Sequence, residues 1–478
     1  MTRIRCVPRS LVTVEHIESG ITGSRCDNGG VLFFLGVLVV VVGVALSIAL
    51  HEIGHLVPAK KFGVKVTQYM VGFGPTVWSR KRGETEYGLK AIPLGGYVRM
   101  IGMLPPRPGD KPGELRTLST GRFSQMVDQA RADSMEEVRP GDEDRVFYKL
   151  SPGKKIIIML GGPIMNLIIA AVLLTSVITL YGLPQVAPKV GLLSACVPTT
   201  APSLQVPQPQ CKPGDPVAPA KAAGLQERDR IVSVDGTAVS TWDQVTAAIR
   251  DNKGRTMTWV VQRGDQQVPI TITPAALDRA TYDDQGNPVA KDGRPVLASM
   301  GFAGITPGQE LVRTPIAQAP GFVWDRLVDT ASIIVKIPEK MTGVVQAAFG
   351  SEERDPNGPI SVVGVGRIGG EVAALDIPAD EGGNWVKLAQ LILLIASLNL
   401  ALFVFNLIPL LPLDGGHVAG AVWEAIKRGW ARLRHRPDPG FVDVAKGLPV
   451  AYGMSLVLIT MSVLLIYADI VKPIKLFG

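Results

Sequence analysis

Apolar and polar positions are segregated along this chain. Residues 31–50, 156–180, 388–413 and 448–468 carry no charge, and each run is about as long as the roughly 20 residues a helix needs to cross a bilayer. Four membrane spans are predicted, within segments 31–58, 155–183, 386–417 and 448–472. The alternative, helices buried in a large soluble core, is disfavoured by four such runs in one chain. The first run is too long for a cleaved secretory signal, and no small-residue cleavage site follows it.

The intervening segments read differently. In 59–103, Val64, Val66, Tyr69 and Val71 alternate loosely with polar residues, and GFGP, RGE and PLGG punctuate as turns. This predicts a small β-sheet close to the membrane. Segment 104–154, rich in Pro, Gly and mixed charge, predicts a flexible loop. Segment 184–280 predicts a β-rich domain, with a short helix at 220–225 ending at a glycine cap, a strand at 229–234, a turn at Asp235 and Gly236, and a helix at 242–249. Its AGLQERDRIVSVDGTAV stretch resembles PDZ domains of the bacterial, permuted type. Such domains take an extended peptide or chain end as an added strand; a PDZ fold that only gates or spaces is the other reading. In the linker 281–385, Phe322, Leu327, Ala331, Ile334 and Val335 recur at helical spacing in a stretch too charged to span. An interfacial amphipathic helix is expected there, with a plain soluble helix as the alternative.

Net charge is +7 and 46% of residues are hydrophobic, averages that matter less than where the basic residues fall. Arg80, Lys81, Arg82, Lys154 and Lys155 lie between the first two runs, and Lys427, Arg428, Arg432, Arg434 and Arg436 lie in the loop 418–447. Two spans separate these loops, so they share a face, and their basic character makes that face cytosolic. The PDZ-like segment is then extracytoplasmic. Arg3, Arg5, Arg9 and Arg25 would also lie outside, against the rule, so the irregular polar stretch 1–30 is expected to precede a working chain that begins near Val31. Cys196 and Cys211 fall in the external segment, where a disulfide is permitted; they are either bridged or free thiols.

The chemistry lies where polarity interrupts the apolar runs. HEIGH puts His51 and His55 at i and i+4, on one helical face, with Glu52 between them in reach of a water at the metal. The spacing suits two ligands to one zinc, and two histidines with a glutamate in lipid need partners. A catalytic zinc keeps three protein ligands and one open position. Asp414, at the end of the third uncharged run and before Gly415 and Gly416, is preferred as the third ligand over His417. Asn399 and Asn406 lie seven apart on one helix face, and Pro409 and Pro412 break that helix. Asn406, Asn399 and Pro409 are candidates for substrate or oxyanion contacts, with helix-to-helix hydrogen bonding as the alternative for the asparagines.

HEIGH at the end of the first run, GGPIMN in the second and NLIPLLPLDGG in the third resemble the site-2 protease family of intramembrane zinc metalloproteases. The β segment VGFGPTVWSRKRGETEYGLKAIPLGGYV, actinobacterial in its wording, and the single PDZ-like stretch add to the likeness, which covers 31–468 and is close to the bacterial members that act in regulated intramembrane proteolysis. The resemblance implies Zn2+ held by His51, His55 and Asp414, with Glu52 as catalytic acid and base. It implies a multi-pass protein of the cell membrane, active near the cytosolic side. Its partners would be the lipid bilayer and single-span membrane proteins such as anti-sigma factors or remnant signal peptides, without nucleic acid. The extension 1–30 and the insertion near 105–146 depart from the family pattern. The rival readings are a scaffold with a structural zinc, which has no need of Glu52, and a metal transporter, which calls for more intramembrane ligands.

Overall fold

The computed structural model describes residues 29–106, 122–198, 211–281, 289–291, 294–350, 354–355, 358–377 and 383–474. The extension expected at 1–30 therefore falls, up to residue 28, outside the described residues. The chain divides into two units, 178–315 and the remainder on either side of it.

The larger unit begins with α1 (Gly29–Lys61), 33 residues long. Its valine-rich run is a poor helix former in water. In hydrocarbon the helix is the only single-segment structure that pairs every backbone group, and this overrides propensity. Next come β1 (Val66–Arg82) and β2 (Thr85–Met100), which pair twice. Residues 66–71 lie against 96–100 on one side and residues 68–71 against 86–89 on the other, leaving 96–100 as an edge among the described residues. A helix, α2 (Arg122–Glu136), then stands within the stretch expected to be a flexible loop. Its tether is remote: buried Arg131 donates to Asp443 at 2.5 Å across 312 residues of sequence, a partner that local composition does not reveal. The helix α3 (Pro152–Ser176) completes this half.

The smaller unit holds β3 (Leu183–Leu193), α4 (Pro219–Ala222), β4 (Arg230–Val234), β5 (Thr237–Ala238), α5 (Trp242–Asp251), β6 (Met257–Arg263), β7 (Gln266–Ile272) and β8 (Ala275–Ala280). It continues with β9 (Ala290–Lys291), β10 (Arg294–Pro295), β11 (Leu297–Phe302) and β12 (Ile305–Val312). The local elements expected from the sequence are present. Gly224 follows α4 at φ 78°, and Asp235 and Gly236 turn with φ of 47° and 78°, the left-handed pair a tight hairpin requires. Thr241 and Gln244 form a capping box on α5. Trp259, Met257, Ile231, Val261, Ile272 and Val245 fill the core. One boundary differs from expectation. The sheet runs β12-β3-β4-β6-β7, so residues assigned to a linker after 280 belong to this unit, because β12 pairs with β3. Cys196 and Cys211 are bridged.

Back in the larger unit, the remaining linker forms three helices rather than one: α6 (Ala319–Val335), α7 (Ile337–Phe349) and α8 (Val362–Ala374). The expected third span, 386–417, is not one helix. It is α9 (Gly383–Asn406), an irregular passage through Pro409 and Pro412, and a new helix α10 (Asp414–Leu433) that occupies much of the expected basic loop 418–447. The final helix is α11 (Leu448–Val471). Among the described residues four helices, Gly29–Lys61, Pro152–Tyr181, Gly383–Asn406 and Val444–Val471, are long and apolar enough to cross a membrane. The chain is a multi-pass membrane protein.

Packing in this unit centres on α3, which touches α1, α9 and α10. A Cβ on Gly54 would lie 2.2 Å from the Gly161 carbonyl oxygen, and one on Gly161 would lie 2.0 Å from that of Gly54. The two backbones therefore meet directly, as small residues permit between helices in lipid. This crossing presses the HEIGH turn onto α3.

Candidate metal centre

His51 lies about 33 Å along α1 from its first residue at 1.5 Å per residue, close to the thickness of a hydrocarbon core. The helix thus carries its polar turn to the end of its apolar length. His51 and His55 share a face of α1, and their Nε2 atoms lie 3.2 Å apart. Asp414, the first residue of α10, brings Oδ2 to 3.4 Å from each of them. The three donors form a nearly equilateral triangle. Tetrahedral zinc at 2.0–2.1 Å from its ligands separates donor atoms by about 3.3 Å. The residues therefore fit one face of a zinc tetrahedron, with the fourth position free. Among the described residues these three are the group that could hold a metal.

Each donor is fixed from behind. His55 Nδ1 lies 2.8 Å from the Ile158 carbonyl oxygen of α3. A carbonyl only accepts, so Nδ1 carries the proton and Nε2 presents its lone pair. A Cβ at Gly162 would lie 2.2 Å from His55 Nε2 and 2.7 Å from His51 Nε2, so glycine alone leaves room for the rings. Asp414 reaches the histidines because the first turn of α10 folds back on the passage before it. A Cβ at Gly415 would stand 2.3 Å from the Ile408 carbonyl oxygen.

Glu52 is 9% exposed and sits in the same turn as the two histidines. The edge segment 96–100 of β2 approaches it: a Cβ at Gly96 would be 2.9 Å from Glu52 Cγ. Tyr69 of β1 pins the sheet to α1 by donating to the Ala49 carbonyl oxygen at 2.8 Å. Burial pushes its phenol up to about 12, so it remains a donor at any working pH.

The other candidates lie differently. Asn399, 1% exposed, donates to Ser47 Oγ at 2.9 Å and to the Ile395 carbonyl oxygen at 2.8 Å; it joins α9 to α1, the helix-to-helix alternative. Asn406 is the last residue of α9, and Pro409 is exposed in the passage beyond. His417 lines a small crevice with Met103, Phe147 and Tyr148 and is not among the three converging donors. The sequence reading assigned no role to Asn166. This residue, 1% exposed on α3, brings Nδ2 to 3.1 Å from His51 Nδ1. Its signal was an amide within an uncharged run, four residues after Gly162.

Comparison with known proteins gives the family. The model of peptidase family M50 matches residues 39–436. The chain is 32% identical to zinc metalloprotease Rip1 of Mycobacterium tuberculosis, over 93% of this chain and 100% of the relative. It is 31% identical to zinc metalloprotease Rip1 of Mycolicibacterium smegmatis, again over 93% and 100%. Zinc metalloprotease RasP of Oceanobacillus iheyensis is 25% identical over 80% of this chain and 89% of its own.

Proposed function

Because the chain belongs to peptidase family M50, the site-2 protease family of zinc metalloendopeptidases, we propose that it cleaves the transmembrane segments of single-span membrane proteins, of which anti-sigma factors and remnant signal peptides are the expected kinds. The observation that carries this reading is the triangle of His51, His55 and Asp414 with Glu52 in the same helical turn. When bound, zinc supplies Lewis-acid polarisation and water activation at neutral pH. His51, His55 and Asp414 would hold it. Glu52 takes the proton from the attacking water and delivers it to the leaving amine. Asn406, beside the break before Asp414, is the candidate donor to the developing oxyanion.

A helical substrate hides its amides in its own hydrogen bonds, so it must unwind to be cut. The free edge at 96–100, next to Glu52, suits an unwound segment added as a strand. The smaller unit carries the PDZ-like sequence. With the basic loops cytosolic, it faces outside and acts as a docking site or size filter for substrates already trimmed there. The test is cleavage in cells of a tagged single-span anti-sigma factor, pretrimmed on its external side. Glu52→Gln should abolish cleavage while zinc content stays at wild-type level; equal cleavage would mean that another protease does the work. In the same assay, deletion of 186–273 should admit untrimmed substrates, and unaltered selectivity would remove the filter.

A further inference from the structure

The face of α3 behind the site repeats every four residues. Ile158 offers its carbonyl oxygen to His55, Gly162 makes room for both rings, and Asn166 meets His51. The first contact fixes the proton of His55 on Nδ1. The corresponding contact at His51 involves a side-chain amide, whose oxygen and nitrogen ends are nearly identical in shape, so that hydrogen bonding decides which end faces the ring. With the nitrogen toward His51, the buried Oδ1 has no hydrogen-bond partner. In that orientation His51 Nδ1 must accept, the neutral ring carries its proton on Nε2, and the lone pair needed for a metal is blocked. With the oxygen toward His51, Oδ1 gains a donor and the ring's proton moves to Nδ1; the amide NH2 then takes the unpartnered position, so the choice falls to what a metal on Nε2 requires. Nε2 is then bare, matching His55.

We propose that Asn166 presents its carbonyl oxygen to His51 Nδ1 and so fixes the metal-binding tautomer and ring orientation of His51. It is a positioning residue, acting on the zinc through His51. The proposal rests on the zinc-site reading above. Loss of such outer partners lowers metal affinity by roughly 10–100-fold, and a carboxylate at this position accepts the same proton. The full-length protein in detergent would be titrated against a zinc chelator, and its His51 tautomer read by nitrogen-15 NMR of labelled histidine in the metal-free state. Asn166→Leu, close in shape, should bind zinc about 10–100-fold more weakly and lose the Nδ1-protonated signal of His51. Asn166→Asp should retain wild-type affinity or better. Wild-type zinc affinity in Asn166→Leu would overturn the proposal, as would Asn166→Asp failing in the same way as Asn166→Leu. His51→Ala separates the two readings. If it keeps zinc, the metal-site reading itself fails; if it loses zinc while Asn166→Leu does not, only the role of Asn166 fails.

Discussion

One carboxylate from each unit, buried Asp229 and half-buried Asp414, shows how differently the two are built. Asp229, 1% exposed in the smaller unit, accepts from the Gln226 amide at 2.9 Å and from Arg263 Nε and Nη2 at 2.8 and 2.6 Å. Its charge and lone pairs are answered within the fold. Asp414 instead points Oδ2 at two imidazole nitrogens, of which His55 Nε2 is left an acceptor by the contact of Nδ1 with the Ile158 carbonyl oxygen. A closed polar set stabilises the fold, and its natural partner is another side chain. An open one, with three acceptors facing a common point, is complete only with a cation. The smaller unit spends its polar groups on its own structure; the larger one brings together three that could hold a metal ion.

The largest effect should come from exchanging the two carboxylates' fates. Asp414→Ala should lower zinc affinity by more than the roughly 100-fold that loss of an outer partner brings, and abolish cleavage, while the protein still inserts and folds. Asp229→Ala should leave zinc stoichiometry intact yet destabilise the smaller unit by about 2 kcal/mol, through loss of its charge-assisted hydrogen bonds to the half-exposed Arg263. Zinc titration beside thermal unfolding checks both. If the two variants gave the same pattern, the contrast would collapse. Glycine gives a second, intermediate pair. Gly162→Ala puts a methyl group within 2.2 Å of His55 Nε2 and should cost zinc occupancy. Gly236→Ala, at φ 78° with open space around it, should cost only about 1 kcal/mol of stability and no zinc. The smallest effect on the metal should come from proline substitutions along 96–100. Cleavage should fall while zinc content is unchanged, and undiminished cleavage would remove strand addition from the account.

The sequence made the metal centre legible because a helix turns local spacing into geometry. His51, Glu52 and His55 needed only the 3.6-residue period, and Asp414 stood out where prolines and glycines break an uncharged run. The turn at Asp235 and Gly236 and the helix that begins at Trp242 were equally local. Features depending on remote partners escaped. The helix α2 looked like a polar loop because Asp443, which anchors Arg131, lies far along the chain. The smaller unit was cut short because β12 returns to β3 from beyond an apparent boundary. The third span was read through Asp414 as one element, although Pro409 and Pro412 already marked the break that lets α10 start anew. Asn166 went unassigned because its meaning depends on how α1 crosses α3, which the Gly54 and Gly161 contact sets and no local spacing reveals.

The most direct test of the account is X-ray absorption at the zinc edge on the purified full-length protein, wild type against His51→Ala. The account predicts one zinc per chain with two imidazoles and further oxygen donors at about 2.0–2.1 Å, and loss of that signature in the variant. A zinc shell that contains sulfur, or one unchanged in His51→Ala, would place the metal elsewhere and contradict it.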